Sequence, residues 1–152
     1  MAARWKRSPG KKSAQDSSGK LPVNDLPRPD GVTIAAADAD AWAERYFAAW
    51  RTNAPEDVEA LFAEDIVYFY GPFRPPAVGR EEVVRRWIEG GAHDDVTSRH
   101  EVVAVAGDTA VIHWAVSFGG HAMDGVLIVR FDADGRCREH REWYAESGAG
   151  TG

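Results

Sequence analysis

From residue 42 onward the apolar positions fall first into helical and then into strand rhythm. Trp42, Tyr46 and Trp50 recur every four residues and share one face of a helix, predicted from about Asp38 or Asp40 as cap to about Thr52. Pro55 suits the first turn of a second helix, where Glu56 and Asp57 complement the dipole and Val58, Leu61 and Phe62 supply the apolar side. Ile66, Tyr68 and Tyr70 then alternate onto one face of a strand stopped by Gly71-Pro72. A third helix is predicted over about Arg80 to Glu89, starting after Gly79 and stopping at Gly90-Gly91. Val83, Val84, Trp87 and Ile88 lie on one side and Glu81, Glu82, Arg85 and Arg86 face water.

Past a polar loop around His93 to Asp95 the chain alternates as a meander of antiparallel strands: about Val96 to Ala106, Thr109 to Phe118, His121 to Asp132 and Arg136 to Ala145. Gly119-Gly120 fits a two-residue hairpin, which pairs Phe118 with His121, Trp114 with Gly125 and Ile112 with Leu127. One sheet face then carries Ile112, Trp114, Val116, Phe118, Met123, Leu127, Val129 and Phe131. The other carries His113, Ala115, Ser117, Asp124, Val126, Ile128 and Arg130, too apolar for full exposure, which points to an interface.

Composition adds a boundary near residue 37. Before it stand seven Lys or Arg against three acids, net +4; after it stand eleven Arg, no Lys and 21 acids, net −10. Fifteen of the sixteen aromatic residues lie beyond that boundary, so residues 1–37 are expected to be a disordered basic leader, 38–146 the domain and 147–152 a flexible tail. The leader has no apolar run, and Asp16, Asp25, Asp30 and four prolines argue against a targeting helix, so no membrane association and a cytoplasmic location are expected. An acidic domain repels phosphate, so no nucleic-acid partner is expected. Cys137 is the single cysteine, which excludes an internal disulfide.

Arg45-Tyr46 in the first helix, Leu61-Phe62-Ala63 ending the second, the acidic turn Glu64-Asp65, the strand stopped by Gly71-Pro72 and Gly79-Arg80 opening the third helix resemble the ketosteroid isomerases of the nuclear transport factor 2-like superfamily. They also resemble the SnoaL-like polyketide cyclases, over about residues 40 to 146. The resemblance implies an α+β fold, the cone-shaped cystatin-like or nuclear transport factor 2-like fold, with three N-terminal helices packed on a curved antiparallel sheet. It also implies a homodimer through the outer sheet face. It does not fix a reaction, because one scaffold hosts many functions.

Tyr46 matches the helix tyrosine that donates to a substrate oxyanion in ketosteroid isomerases. The base of that pattern falls on Tyr70 and its second acid on Leu127, so steroid isomerisation by that mechanism is not supported. The last strand, Arg138 to Tyr144, offers a replacement. On the resemblance His140, Glu142 and Tyr144 point inward, about 6.5 Å apart in succession, so His140 can abstract a proton while Glu142 or a tyrosine orients the ring. A slip of one residue at the preceding turn swaps the faces and leaves an outward charged strand.

The expected catalytic set is therefore His140, Tyr46, Tyr70 and Glu142. Trp42, Trp50, Tyr68, Trp114, Val116, Phe118, Leu127 and Tyr144 form an aromatic-lined substrate cup, because tyrosines need polar partners when buried and so favour a cavity with a polar end. The histidines form no ligand pair at metal-site spacing, and neither metal nor cofactor is expected. Two functions compete: proton transfer on a small apolar carbonyl compound (cyclase, isomerase or hydratase), or a non-catalytic small-molecule-binding or dimerisation module.

Overall fold

The computed structural model describes residues 31–93 and 95–147, so residues 1–30 of the expected leader and 148–152 of the expected tail lie outside the described residues. The first helix, α1, spans Ala36–Thr52 and ends on Asn53, whose positive φ of 48° lets its N–H reach the Ala49 carbonyl. It begins earlier than the aspartates suggest. Ala35 occupies the cap position without a side-chain bond, while Ile34 donates its N–H to the Gly107 carbonyl at 2.8 Å and packs on the core. A tertiary backbone bond and one half-buried apolar side chain set this start in place of a local cap. Asp40 bonds His100 at 3.0 Å instead.

A short α2, Pro55–Glu59, leads into β1, Phe62–Phe69. Phe62 therefore opens the strand and does not close the helix as expected. A two-residue strand that the pattern did not signal, β2 (Ala77–Val78), pairs antiparallel with β1 and precedes α3, Arg80–Glu89. The meander follows as β3 (Thr97–Ala106), β4 (Thr109–Phe118), β5 (His121–Phe131) and β6 (Cys137–Ser147).

The strands form one curved, unclosed sheet in the order β2-β1-β6-β5-β4-β3. The sheet is mixed, which corrects the expectation of an antiparallel one: β6 runs antiparallel to β5 but parallel to β1, with Tyr68 opposite His140. Tight turns force alternation inside the meander. The long connection from β1 to β6, containing α3 and four strands, imposes no such parity.

The hairpin register is as expected, with Phe118 opposite His121, Trp114 opposite Gly125 and Ile112 opposite Leu127. Gly125 is required there. A Cβ would press on the Trp143 carbonyl oxygen and come within 2.7 Å of Tyr144 Cβ and 2.9 Å of Trp114 Cζ2.

The core lies between α1, α3 and the concave face. Trp42 anchors it by stacking on Tyr46 at 5.1 Å, meeting Phe131 edge-on at 5.4 Å and donating its Nε1–H to the Leu61 carbonyl at 3.0 Å. Among the described residues no helix is long and apolar enough to cross a membrane.

Candidate functional site

A cavity of about 220 Å³ opens between the end of α1, the C-terminal half of α3 and strands β1, β5 and β6. Of the expected site residues it brings together Trp50, Tyr68, Tyr70, Glu142 and Tyr144. Alternation puts Tyr68 on the concave side of β1, with Tyr70 just past the strand's end on the same side, and the neighbouring Glu142 and Tyr144 on that of β6, and Trp50 is the last aromatic of the α1 stripe. Arg86, Trp87, Gly90, Gly91, His93 and Met123 complete the lining. Arg86 stands where the helical pattern reads water, and its guanidinium lies over the Tyr70 ring at 5.8 Å.

Other expected residues lie deeper. Trp42, Tyr46, Trp114, Val116 and Leu127 are sealed in the core and do not line the cavity, and Phe118 is half-buried against Trp50 and His93. A sheet that curves over two helices buries its centre and leaves only the open end of the cone accessible, and the two-residue period cannot say which end that is.

A chain of hydroxyls reaches the cavity floor. Tyr46 and Tyr68 share a hydrogen bond of 2.8 Å between their hydroxyls, and Tyr68 donates to Glu142 Oε2 at 3.4 Å. Glu142 is 8% exposed, and burial pushes its carboxyl up to about 8, against the pull of the Tyr68 hydrogen bond and the Arg74 charge. Burial likewise pushes the Tyr46 and Tyr68 phenols well up, and Tyr70 to about 12. The Tyr70 hydroxyl, in the cavity wall, has no hydrogen-bond partner among the described residues.

His140 sits behind this row. Its ring stacks on Tyr68 at 3.9 Å and on Tyr46 at 5.4 Å, is wholly buried and has no partner at either ring nitrogen among the described residues. Burial holds its imidazole down at about 3. The register of β6 is the inward one: His140 and Glu142 are buried, and Tyr144 stands at the mouth, 42% exposed. Within that register Glu142 is at the cavity and His140 is not.

Among the described residues no three His, Cys, Asp or Glu side chains cluster to hold a metal ion. A wider depression of about 750 Å³ beside α3 is lined by Glu59, Glu64, Arg80, Glu81, Glu82 and Arg85 without an aromatic, so it reads as a solvated charged surface.

Residues 43–140 match the family described as the SnoaL-like domain. A crystal structure from Kribbella flavida, carrying a provisional ketosteroid isomerase assignment, superposes with a TM-score of 0.57 at 22% identity, covering 74% of this chain and 82% of that one. No curated protein matches the chain. At 22% identity this likeness speaks to the fold.

Proposed function

The chain belongs to the SnoaL-like domain family, and from that premise we propose that it binds a small, largely apolar carbonyl compound and moves a proton at the carbon next to the carbonyl, with Glu142 as the proton-transfer group. The observation that carries this is a single buried carboxyl at the floor of an aromatic cavity, held near neutrality at about 8. Glu142 takes the proton. The Tyr70 hydroxyl donates to the developing enolate oxygen, and Glu142 returns the proton to another carbon or the same one. Tyr68, backed by Tyr46, donates to the carboxylate and orients it. His140 supports Tyr68 by stacking and takes no proton, since its ring stays neutral down to about pH 3. A cavity of about 220 Å³ is below the roughly 300 Å³ at which drug-sized sites begin, so the ligand has one or two rings and is smaller than a steroid.

Deuterium exchange next to the carbonyl of a small enolisable ring ketone such as tetralone, followed by proton NMR, tests this reading. The protein-dependent rate is expected to climb with pH and level off above about 8, as Glu142 becomes ionised. A ketone that binds yet exchanges no faster than in buffer leaves the non-catalytic binding module.

The same reading includes a homodimer and a cytoplasmic location. Val126 and Ile128, half-exposed on the outer sheet face, adjoin Val111 and the 42% exposed Trp143 across the strands, and such a patch favours a second copy. Asp at both Val126 and Ile128 is expected to give monomers in analytical ultracentrifugation, and a parent already monomeric at micromolar concentration would sink this interface.

A further inference from the structure

A second space of about 340 Å³, lined by Tyr70, Arg74, Pro75 and Arg86, adjoins the cavity on its outer side. Tyr70 and Arg86 belong to both spaces. The two chambers differ in chemistry: the inner one is aromatic around one protonatable carboxyl, and two of the four residues lining the outer one are guanidinium groups. Arg86 is tied to Glu82 at 2.7 Å, and Glu82 also holds Arg85, so that carboxylate is shared between two cations. Arg74, on the exposed loop after β1, has no carboxylate partner among the described residues, and its charge is felt at Glu142. The domain as a whole is acidic, with 21 acids against eleven arginines beyond residue 37. An excess of positive charge at the entrance of its aromatic cavity therefore runs against the overall field.

Building on the proton-transfer reading, we propose that the substrate is a small cyclic or aryl keto acid, its ring and carbonyl in the inner chamber and its carboxylate held at Arg74 and Arg86 in the outer one. Arginine suits this task because its planar fork matches a carboxylate. A protonated Glu142 does not repel the incoming anion, whereas an ionised one does, and Tyr70 between the chambers has a hydroxyl free to donate to either polar end. The groups that face this junction are Glu142 and Tyr68 from the sheet, Arg85, Arg86 and Glu82 from α3, His93 from the following loop and Arg74.

The test compares naphthoate with its uncharged isostere naphthamide, titrated into the full-length protein at pH 6.5, with Trp50 and Trp87 in the cavity wall as fluorescence reporters. Naphthoate is expected to bind more tightly than naphthamide. Arg74→Gln should weaken naphthoate roughly three- to tenfold, the range for an exposed charge contact, and leave naphthamide unchanged, while Arg74→Lys should recover part of the loss. Equal affinity for the two probes, or a preference that survives Arg74→Gln, overturns the keto acid assignment while the proton-transfer reading stands on its own exchange measurement. If neither probe binds, the aromatic cavity is not a ligand site and both readings fail.

Discussion

Replacing Glu142 with glutamine is expected to lower ketone exchange about 10²- to 10⁴-fold, the range of a lost general acid–base group, while the fold stays intact. Glutamine preserves the shape of the side chain and keeps an oxygen to accept the Tyr68 hydroxyl, but it cannot hold or release a proton at any working pH. His140→Leu gives the opposite result. That ring lies behind Tyr68 with no hydrogen-bond partner and no place in the cavity wall, so an apolar side chain of similar volume should leave the rate within a few-fold. Tyr68→Phe removes a donor to the carboxylate, so its pH profile should move to higher pH with a smaller fall in the plateau. Near-parental exchange in Glu142→Gln, or collapse of exchange in a folded His140→Leu, would return the proton-transfer role to the histidine.

The contrast between these two neighbours shows what the sequence can carry. Both are inward on β6, as the resemblance implies, but alternation alone does not find that face: a bulge between Arg130 and Phe131 pairs Arg130 with Glu139, and counting across the Asp132 to Gly135 turn without it would turn Glu139 and Arg141 inward. Depth along the strand is another matter. His140 pairs with Val129 and Tyr68, in the middle of the sheet under Trp42 and Tyr46, whereas Glu142 pairs with Leu127 one step nearer the open end. That two-residue difference separates a sealed imidazole from a carboxyl at a cavity, and it depends on where α1 and α3 stop covering the sheet.

Long-range terms also account for the other departures. The hairpin register was legible because a two-residue glycine turn fixes it locally. The parallel pairing of β1 with β6 joins residues about 70 apart in sequence and leaves no local signature. Arg86 was placed in water by helical periodicity, yet the chain turns at Gly90-Gly91, so this end of α3 becomes a cavity wall. Arg74 sits in a Pro-rich loop that has no periodicity at all.

Stability measured by urea unfolding is expected to rise from about pH 3, stay level between about 4.5 and 6.5 and fall again towards 8, because His140 and Glu142 act in opposite directions. The folded ring of His140 stays neutral to about pH 3, whereas the unfolded one takes a proton below its ordinary 6.5. The unfolded chain thus binds the extra proton across that window, and stability climbs with pH. Glu142 holds its proton to about 8 when folded and gives it up at about 4.5 when unfolded, so here the folded chain binds the extra proton and stability drops as pH rises.

Each window spans three and a half pH units at about 1.4 kcal/mol each, at most about 5 kcal/mol, and where the two overlap the slopes cancel. The unopposed limbs are then about 2 kcal/mol each, a large share of the 5–15 kcal/mol typical of a domain. Asp108, which burial pulls up but the Thr109 hydrogen bond and the Arg130 and Arg138 guanidinium groups together hold below its ordinary value, adds its own loss only below about pH 3.8. His140→Leu should abolish the histidine's climb and move the maximum to lower pH. Glu142→Gln should keep the climb and stay level to pH 8, ending more stable there than the parent. An alkaline fall of unchanged slope in Glu142→Gln would show that this carboxyl is not held protonated by burial. If the fall disappears together with exchange activity, the ionised state that removes the substrate proton is also the state the folded interior resists, so one carboxyl sets both the activity of the cavity and its alkaline limit.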